Sequence, residues 1–97
     1  MITCNEGRCK VEGPITMRNV TGIAREGARL FPVADVVVDL SAVTEVDSSA
    51  VSLLLEWRRV AQTAGRRIEF TNLPANITTL ADLYGVSDLL NGRSLPA

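Results

Sequence analysis

The chain contains no histidine, one lysine, two cysteines and four aromatic side chains. Each scarcity excludes something. Without histidine, the commonest general base is missing, and so are the usual Ser-His and Cys-His nucleophile pairs. Cys4 and Cys9 would need Asp or Glu to complete a metal site, and no acidic cluster offers those ligands. The expectation for the two cysteines is a pair of reduced thiols on a small hairpin. Four aromatics supply no stacking platform, and a formal net charge of −1 gives no electrostatic case for nucleic acid. The longest apolar runs are a few residues, against the ~20 that a bilayer span needs. The start, Met1-Ile2-Thr3-Cys4-Asn5-Glu6, lacks the basic-then-apolar order of a signal peptide, so the expected location is the cytosol.

What is present suits one small domain, with its ordered core over about residues 2–91. Hydrophobic residues make up 46% of the 97, enough for a real core. No repeat, low-complexity segment or interdomain linker interrupts it.

Ile2 to Cys4 and Arg8 to Glu12 read as strands around the turn cluster Asn5-Glu6-Gly7, and Gly13-Pro14 breaks the second. Thr16 can cap a first helix running to about Leu30. Val20, Ile23, Ala24 and Phe31 recur there at helical spacing, with Gly27 and Ala28 as small positions, and Pro32 ends it. Val36 to Leu40, apolar and β-branched, suits a central strand covered on both faces. A second helix runs from about Ser48 to Ala64, stopped by Gly65. Arg67 to Thr71 is the fourth strand. Pro74 opens a third helix with the buried stripe Ile77, Leu80, Ala81 and Tyr84, ended by Gly85. Val86 to Leu90 reads as a last helical turn, with a frayed tail after Gly92. The order ββαβαβα is that of an α/β domain: a four-stranded mixed sheet with helices packed on it.

The segment from Val36 to Val51 is the most informative. A buried strand leads through a short loop into Asp47-Ser48-Ser49 at the start of a helix. Free backbone N–H groups and the positive end of the helix dipole gather there, which suits capping, anion binding or a phosphoryl group. At about 100° per residue, Ser48, Ser52, Glu56, Arg59 and Thr63 share one narrow face. The apolar arc opposite covers roughly 200°, wider than the ~100° stripe of an ordinary surface helix. Two readings of that arc stand open. An edge of it meets a partner, with Trp57 or Leu55 as anchor, or neighbouring helices cover all of it. Two readings of the turn also stand open. Asp47 or Ser48 is simply the N-cap, worth ~1 kcal/mol, or Ser48 presents an exposed hydroxyl to a kinase or partner. A phosphate on Ser48 would meet the helix dipole favourably and add nearly two negative charges to a docking surface. Catalysis by Ser48 is disfavoured, because Lys10 is the sole lysine and lies on a strand.

These residues resemble those of STAS domains over nearly the whole chain. The strand Val36 to Leu40, the turn Asp47-Ser48-Ser49-Ala50-Val51, the helix ending at Gly65, the strand Ile68 to Thr71 and the final helix fall in that family's order. Ala50 departs from it, where glycine is usual. The resemblance implies a non-catalytic binding module without cofactor or metal. The segments Asn72-Leu73-Pro74 and Thr79-Leu80-Ala81-Asp82-Leu83-Tyr84-Gly85-Val86, with Leu53-Leu54-Leu55, resemble the MlaB-type branch. Members of that branch are accessory subunits of a phospholipid-transporting ABC complex and bind its cytoplasmic ATPase. That implies an ATPase partner, contacts at Asp47, Ser48, Ser49, Ser52, Leu55, Trp57 and Arg59, and only indirect association with the inner face of the inner membrane. The alternative within the family is an anti-sigma factor antagonist, whose partner is an anti-sigma serine kinase and whose phosphorylated residue would be Ser48.

Overall fold

A computed structural model describes residues 2–85. The elements run β1 (Ile2–Asn5), β2 (Arg8–Val11), β3 (Gly13–Ile15), α1 (Val20–Leu30), β4 (Val36–Asp39), β5 (Val43–Val46), α2 (Ser48–Thr63), β6 (Ile68–Thr71) and α3 (Ala75–Leu83). The expected last turn over Val86 to Leu90 and the tail lie outside the described residues.

The main sheet is mixed, in the order β1-β2-β4-β6. β1 and β2 form an antiparallel hairpin, and β4 pairs in parallel with β2 on one side and β6 on the other. The four expected strands and their mixed sheet are present. Two further strands were not expected. β3 and β5 pair in parallel as a second, two-stranded sheet. They continue β2 and β4 past a kink, where Gly13 stands at φ +87° and its N–H donates to the Ala42 carbonyl at 3.1 Å. Gly13-Pro14 thus bends the strand and does not end it. Proline is tolerated there because it faces solvent on a strand with one neighbour.

The first helix also starts later than expected. Thr16 to Asn19 form a separate turn, and the Asn19 side chain folds back on it. Its Oδ1 accepts from the Thr16 amide at 2.9 Å and its Nδ2 donates to the Pro14 carbonyl at 2.8 Å. Thr16 is therefore not the cap of α1, which begins at Val20 without a side-chain cap.

The three helices and one face of the sheet enclose a single core. Val36, Val38 and Leu40 point into it, with Leu53, Leu54, Trp57 and Ala61 from α2 and Ile77 and Ala81 from α3. Val37 and Asp39, on the other face of β4, are only half-buried. Coverage of β4 on both faces is thus not found among the described residues. Tyr84 leaves the α3 stripe as well. It is the C-cap, where the helical phase is lost, and it is 56% exposed.

Two contacts decide how α1 meets α2. Trp57 is fully buried and stacks edge-on against Phe31, with ring centroids 4.9 Å apart. Gly27 faces the same indole so closely that a Cβ there would lie 2.1 Å from Trp57 Nε1. Glycine at this position costs helix stability, roughly 1 kcal/mol relative to alanine, and in return lets the two backbones approach.

The cysteines require a correction. Cys4 and Cys9 are not free thiols but a disulfide, with an S–S distance of 2.07 Å. They are direct register partners across the hairpin, with Cα atoms 4.0 Å apart. Compartment and composition show nothing of this pairing, whereas the short turn places the two side chains opposite each other, where the bond can close.

Candidate functional site at the start of the second helix

α2 begins at Ser48, and Asp47 is its N-cap in extended backbone. One carboxylate oxygen, Oδ1, accepts from the Ser49 amide at 2.9 Å and from the Ser49 hydroxyl. The other, Oδ2, accepts from the Met17 amide at 3.0 Å. The Asp47 amide itself donates to the Ile15 carbonyl at 3.4 Å. Asp47 therefore ties three pieces together: the end of β3, the turn before α1 and the first turn of α2. The Ser49 hydroxyl, and then the Met17 amide, hold its carboxyl below the usual carboxylate range. With both oxygens occupied by donors, Asp47 is not poised to take a proton from Ser48.

The capping role thus falls to Asp47, and Ser48 is left exposed at the helix start. Ser52, Glu56, Arg59 and Thr63 follow it along the same exposed strip of α2, as the helical period requires. Arg59 is not a free cation. It donates from Nε to Glu56 Oε2 at 2.9 Å and from Nη2 to Glu56 Oε1. This pairing lowers the Glu56 pKa and raises that of Arg59. The pair is solvent-exposed, so it stabilises the helix little.

The proposed apolar anchors need revision. Trp57 is 0% exposed and cannot insert into a partner. Leu55 is half-buried and packs against the core. Of the two readings of the wide apolar arc, neighbouring helices cover most of it. What remains is a shallow groove of about 520 Å³ between α1 and α2. Val20, Ala24 and Ala28 line it from α1, and Leu53, Trp57 and Val60 from α2, with Ser49, Ser52 and Glu56 along its edge.

Sequence reasoning missed one residue here. Met17 is 78% exposed, and its backbone amide is bonded to Asp47, which places it beside the start of α2. It belongs to no periodic apolar stripe. The signal for it lies in a tertiary hydrogen bond, 30 residues away in sequence.

The geometry offers an exposed hydroxyl at a helix N-terminus, an exposed methionine whose backbone is tied to the residue that caps that helix, and an apolar groove whose edge includes Ser49 and Ser52 of α2. Such a surface suits docking and covalent modification of a hydroxyl. The helix dipole would favour an anionic group on Ser48. Among the described residues no group of three or more Cys, Asp or Glu side chains is placed to hold a metal, and no helix is long and apolar enough to cross a membrane.

No curated protein sequence matches the chain. Its backbone is similar to the structure of the anti-sigma factor antagonist SpoIIAA in its unphosphorylated form. The TM-score is 0.71 at 15% identity, covering 90% of this chain and 81% of that one. A second similar structure is that of Mglu, with a TM-score of 0.62 at 20% identity. That match covers 77% of this chain but only 20% of the other. At such identities these two likenesses establish the fold alone. The family match reaches further: residues 2–91 fit the family described as "Mlab, STAS domain". The chain belongs to that family of Mlab-type STAS domains.

Proposed function

We propose that this protein is a non-catalytic accessory subunit that docks on the cytoplasmic ATPase of a phospholipid-transporting ABC complex. On this reading it sits in the cytoplasm, at the inner face of the inner membrane only through that partner. The observation that carries the reading is the exposed start of α2, where Ser48 is exposed, the backbone of the likewise exposed Met17 is tied to the Asp47 cap, and Ser49 and Ser52 edge the α1–α2 groove. Membership of the Mlab-type family supports the choice of partner. An interface needs an apolar anchor and a polar rim. Met17 supplies the anchor, and Ser48, Ser52 and the Glu56–Arg59 pair form the rim. Asp47 and Ser49 act from behind, by holding the first turn of α2 in place.

A second reading has one observation in its favour. The Ser48 hydroxyl is exposed at a helix N-terminus, which is what a serine kinase needs. On that reading the protein is an anti-sigma factor antagonist whose docking to an anti-sigma kinase ends when Ser48 is phosphorylated.

Incubating the purified protein with each candidate partner separates the two. The first reading expects a stable complex with the ATPase that Ser48→Glu weakens, because the new carboxylate is left unpaired in a desolvated contact. Tight binding to a serine kinase with phosphate transfer to Ser48, and none to the ATPase, overturns it and establishes the second.

A further inference from the structure

The far end of α2 carries a different kind of site. Arg58 lies in the C-terminal half of α2, next in sequence to Trp57 but on the side of the helix that faces the beginning of the strands. It is 8% exposed, the sole charged residue in the core among the described residues. Its Nε has no hydrogen-bond partner. A buried N–H donor without a partner is costly, and charged side chains are rarely buried unless paired.

Arg58 lines a cleft of about 870 Å³. Arg8, Arg66, Arg67 and Gln62 line it too, so four guanidinium groups and an amide share one cavity. Three carboxylates, Glu6, Asp35 and Glu69, stand in the same cleft. None of them neutralises the arginines: among the described residues, none of the four guanidinium groups makes an ion pair. Asp35 spends Oδ1 on the Arg67 backbone amide at 2.9 Å, not on a side chain. Four guanidinium groups against three carboxylates leave the cleft with one net positive charge, and the Nε of Arg58 is buried there without a partner.

We propose that this cleft binds a phosphate-bearing anion, with Arg58 as its buried contact and Arg66 and Arg67 at its mouth. A guanidinium presents planar, forked donors that match phosphate oxygens two at a time, and several forks can share one tetrahedral group. The cavity is larger than a phosphate ion and falls in the size range of small-ligand sites, so the phosphate belongs to an ester with a body of its own. That ester is either a free metabolite or the headgroup of an anionic lipid. The site is at the opposite end of α2 from Ser48 and does not depend on the docking reading.

The test follows the Nε–Hε cross-peak of Arg58 in the full chain by two-dimensional NMR, at constant ionic strength. One arm adds pyrophosphate. The other adds phosphatidylglycerol vesicles, with phosphatidylcholine vesicles as reference. The expected result is a saturable shift of that peak in at least one arm, and, read in parent and variant alike from the backbone amide peaks of Gln62 and Glu69 in the cleft wall, binding at least tenfold weaker in Arg58→Met, which keeps the buried volume. A response to pyrophosphate assigns a free phosphate ester, and a response to phosphatidylglycerol alone assigns a lipid headgroup. If Arg58→Met does not fold, the exposed pair Arg66→Gln with Arg67→Gln carries the same expectation. No saturable shift in either arm, or equal binding by parent and variants, overturns the proposal.

Discussion

Gly27→Ala is the substitution that most directly tests how the helices are packed. Taken alone, alanine should help, because it favours the helix by roughly 1 kcal/mol over glycine. The structure reverses the sign. The new Cβ would lie 2.1 Å from Trp57 Nε1, 2.5 Å from Cε2 and 2.7 Å from Cδ1, where carbon atoms pack best at about 3.5–4.0 Å. The indole cannot step back freely, since it is fully buried with Phe31 against it. Overpacking of this kind costs about 1–3 kcal/mol, and three ring atoms in conflict put this case at or above the top of that range. The net expectation is a loss of about 2 kcal/mol, or a melting temperature lower by roughly 10 °C for a domain of this size. Gly22→Ala is the control: same helix, exposed, with nothing within 4 Å of the added methyl. It should gain about 0.5–1 kcal/mol. Urea unfolding followed by the fluorescence of Trp57, the single tryptophan, reads both variants with one probe. If Gly27→Ala is as stable as the parent, the close approach of α1 to the indole is wrong.

Three further outcomes follow from the start of α2. Ser48→Ala should leave the urea midpoint nearly unchanged, because Asp47 and not Ser48 caps the helix, whereas Asp47→Ala should lower it clearly; equal effects would refute the assignment of the cap. Asp47 has a folded-state pKa below its unfolded value, so its contribution is present above the unfolded pKa of about 3.9 and is lost as pH falls through the folded one. Acid titration of stability should therefore show a shallower low-pH limb in Asp47→Asn, with Asp39, lowered by Asn72 and Ser41, still contributing its share. Met17→Asp should abolish capture of the ATPase while leaving thermal stability within ~0.5 kcal/mol of the parent, as for other exposed substitutions; unchanged capture removes Met17 from the interface.

The parts of this fold legible in the sequence are those set by short-range chemistry. The α2 start was readable because a capping residue stands directly before a helical period, and the exposed strip from Ser48 to Thr63 follows from that period. The strands Val36–Asp39 and Ile68–Thr71 announce themselves by β-branched or aromatic content between breakers. What was hidden depends on partners distant in sequence. Val43-Thr44-Glu45-Val46 does not alternate, and Gly13-Pro14-Ile15 begins with two breakers, so β3 and β5 are strands only because each supplies the other's ladder. Whether Trp57 is an anchor or a core residue is decided by Gly27 on another helix. Arg58 is polar, so a hydropathy pattern assigns it to the surface, and only the cleft beside it shows where its charge is held. Met17 has no local signal, because its place is fixed by the Asp47 carboxylate.

The central position of β4 has a kinetic consequence. Val38 pairs with Cys9 on one side and Phe70 on the other, partners 29 and 32 residues away along the chain. The β1–β2 hairpin needs only its short turn and forms on a microsecond scale, as hairpins do. Each parallel partner of β4 instead requires about thirty residues to be gathered before a single ladder bond forms, and that loss of chain entropy precedes any gain. The hairpin and the helices can therefore flicker into shape independently, while the chain commits to its topology only when β4 is enclosed between its two neighbours. The middle strand, one of the shortest elements in the molecule, sets the pace at which the whole domain is made.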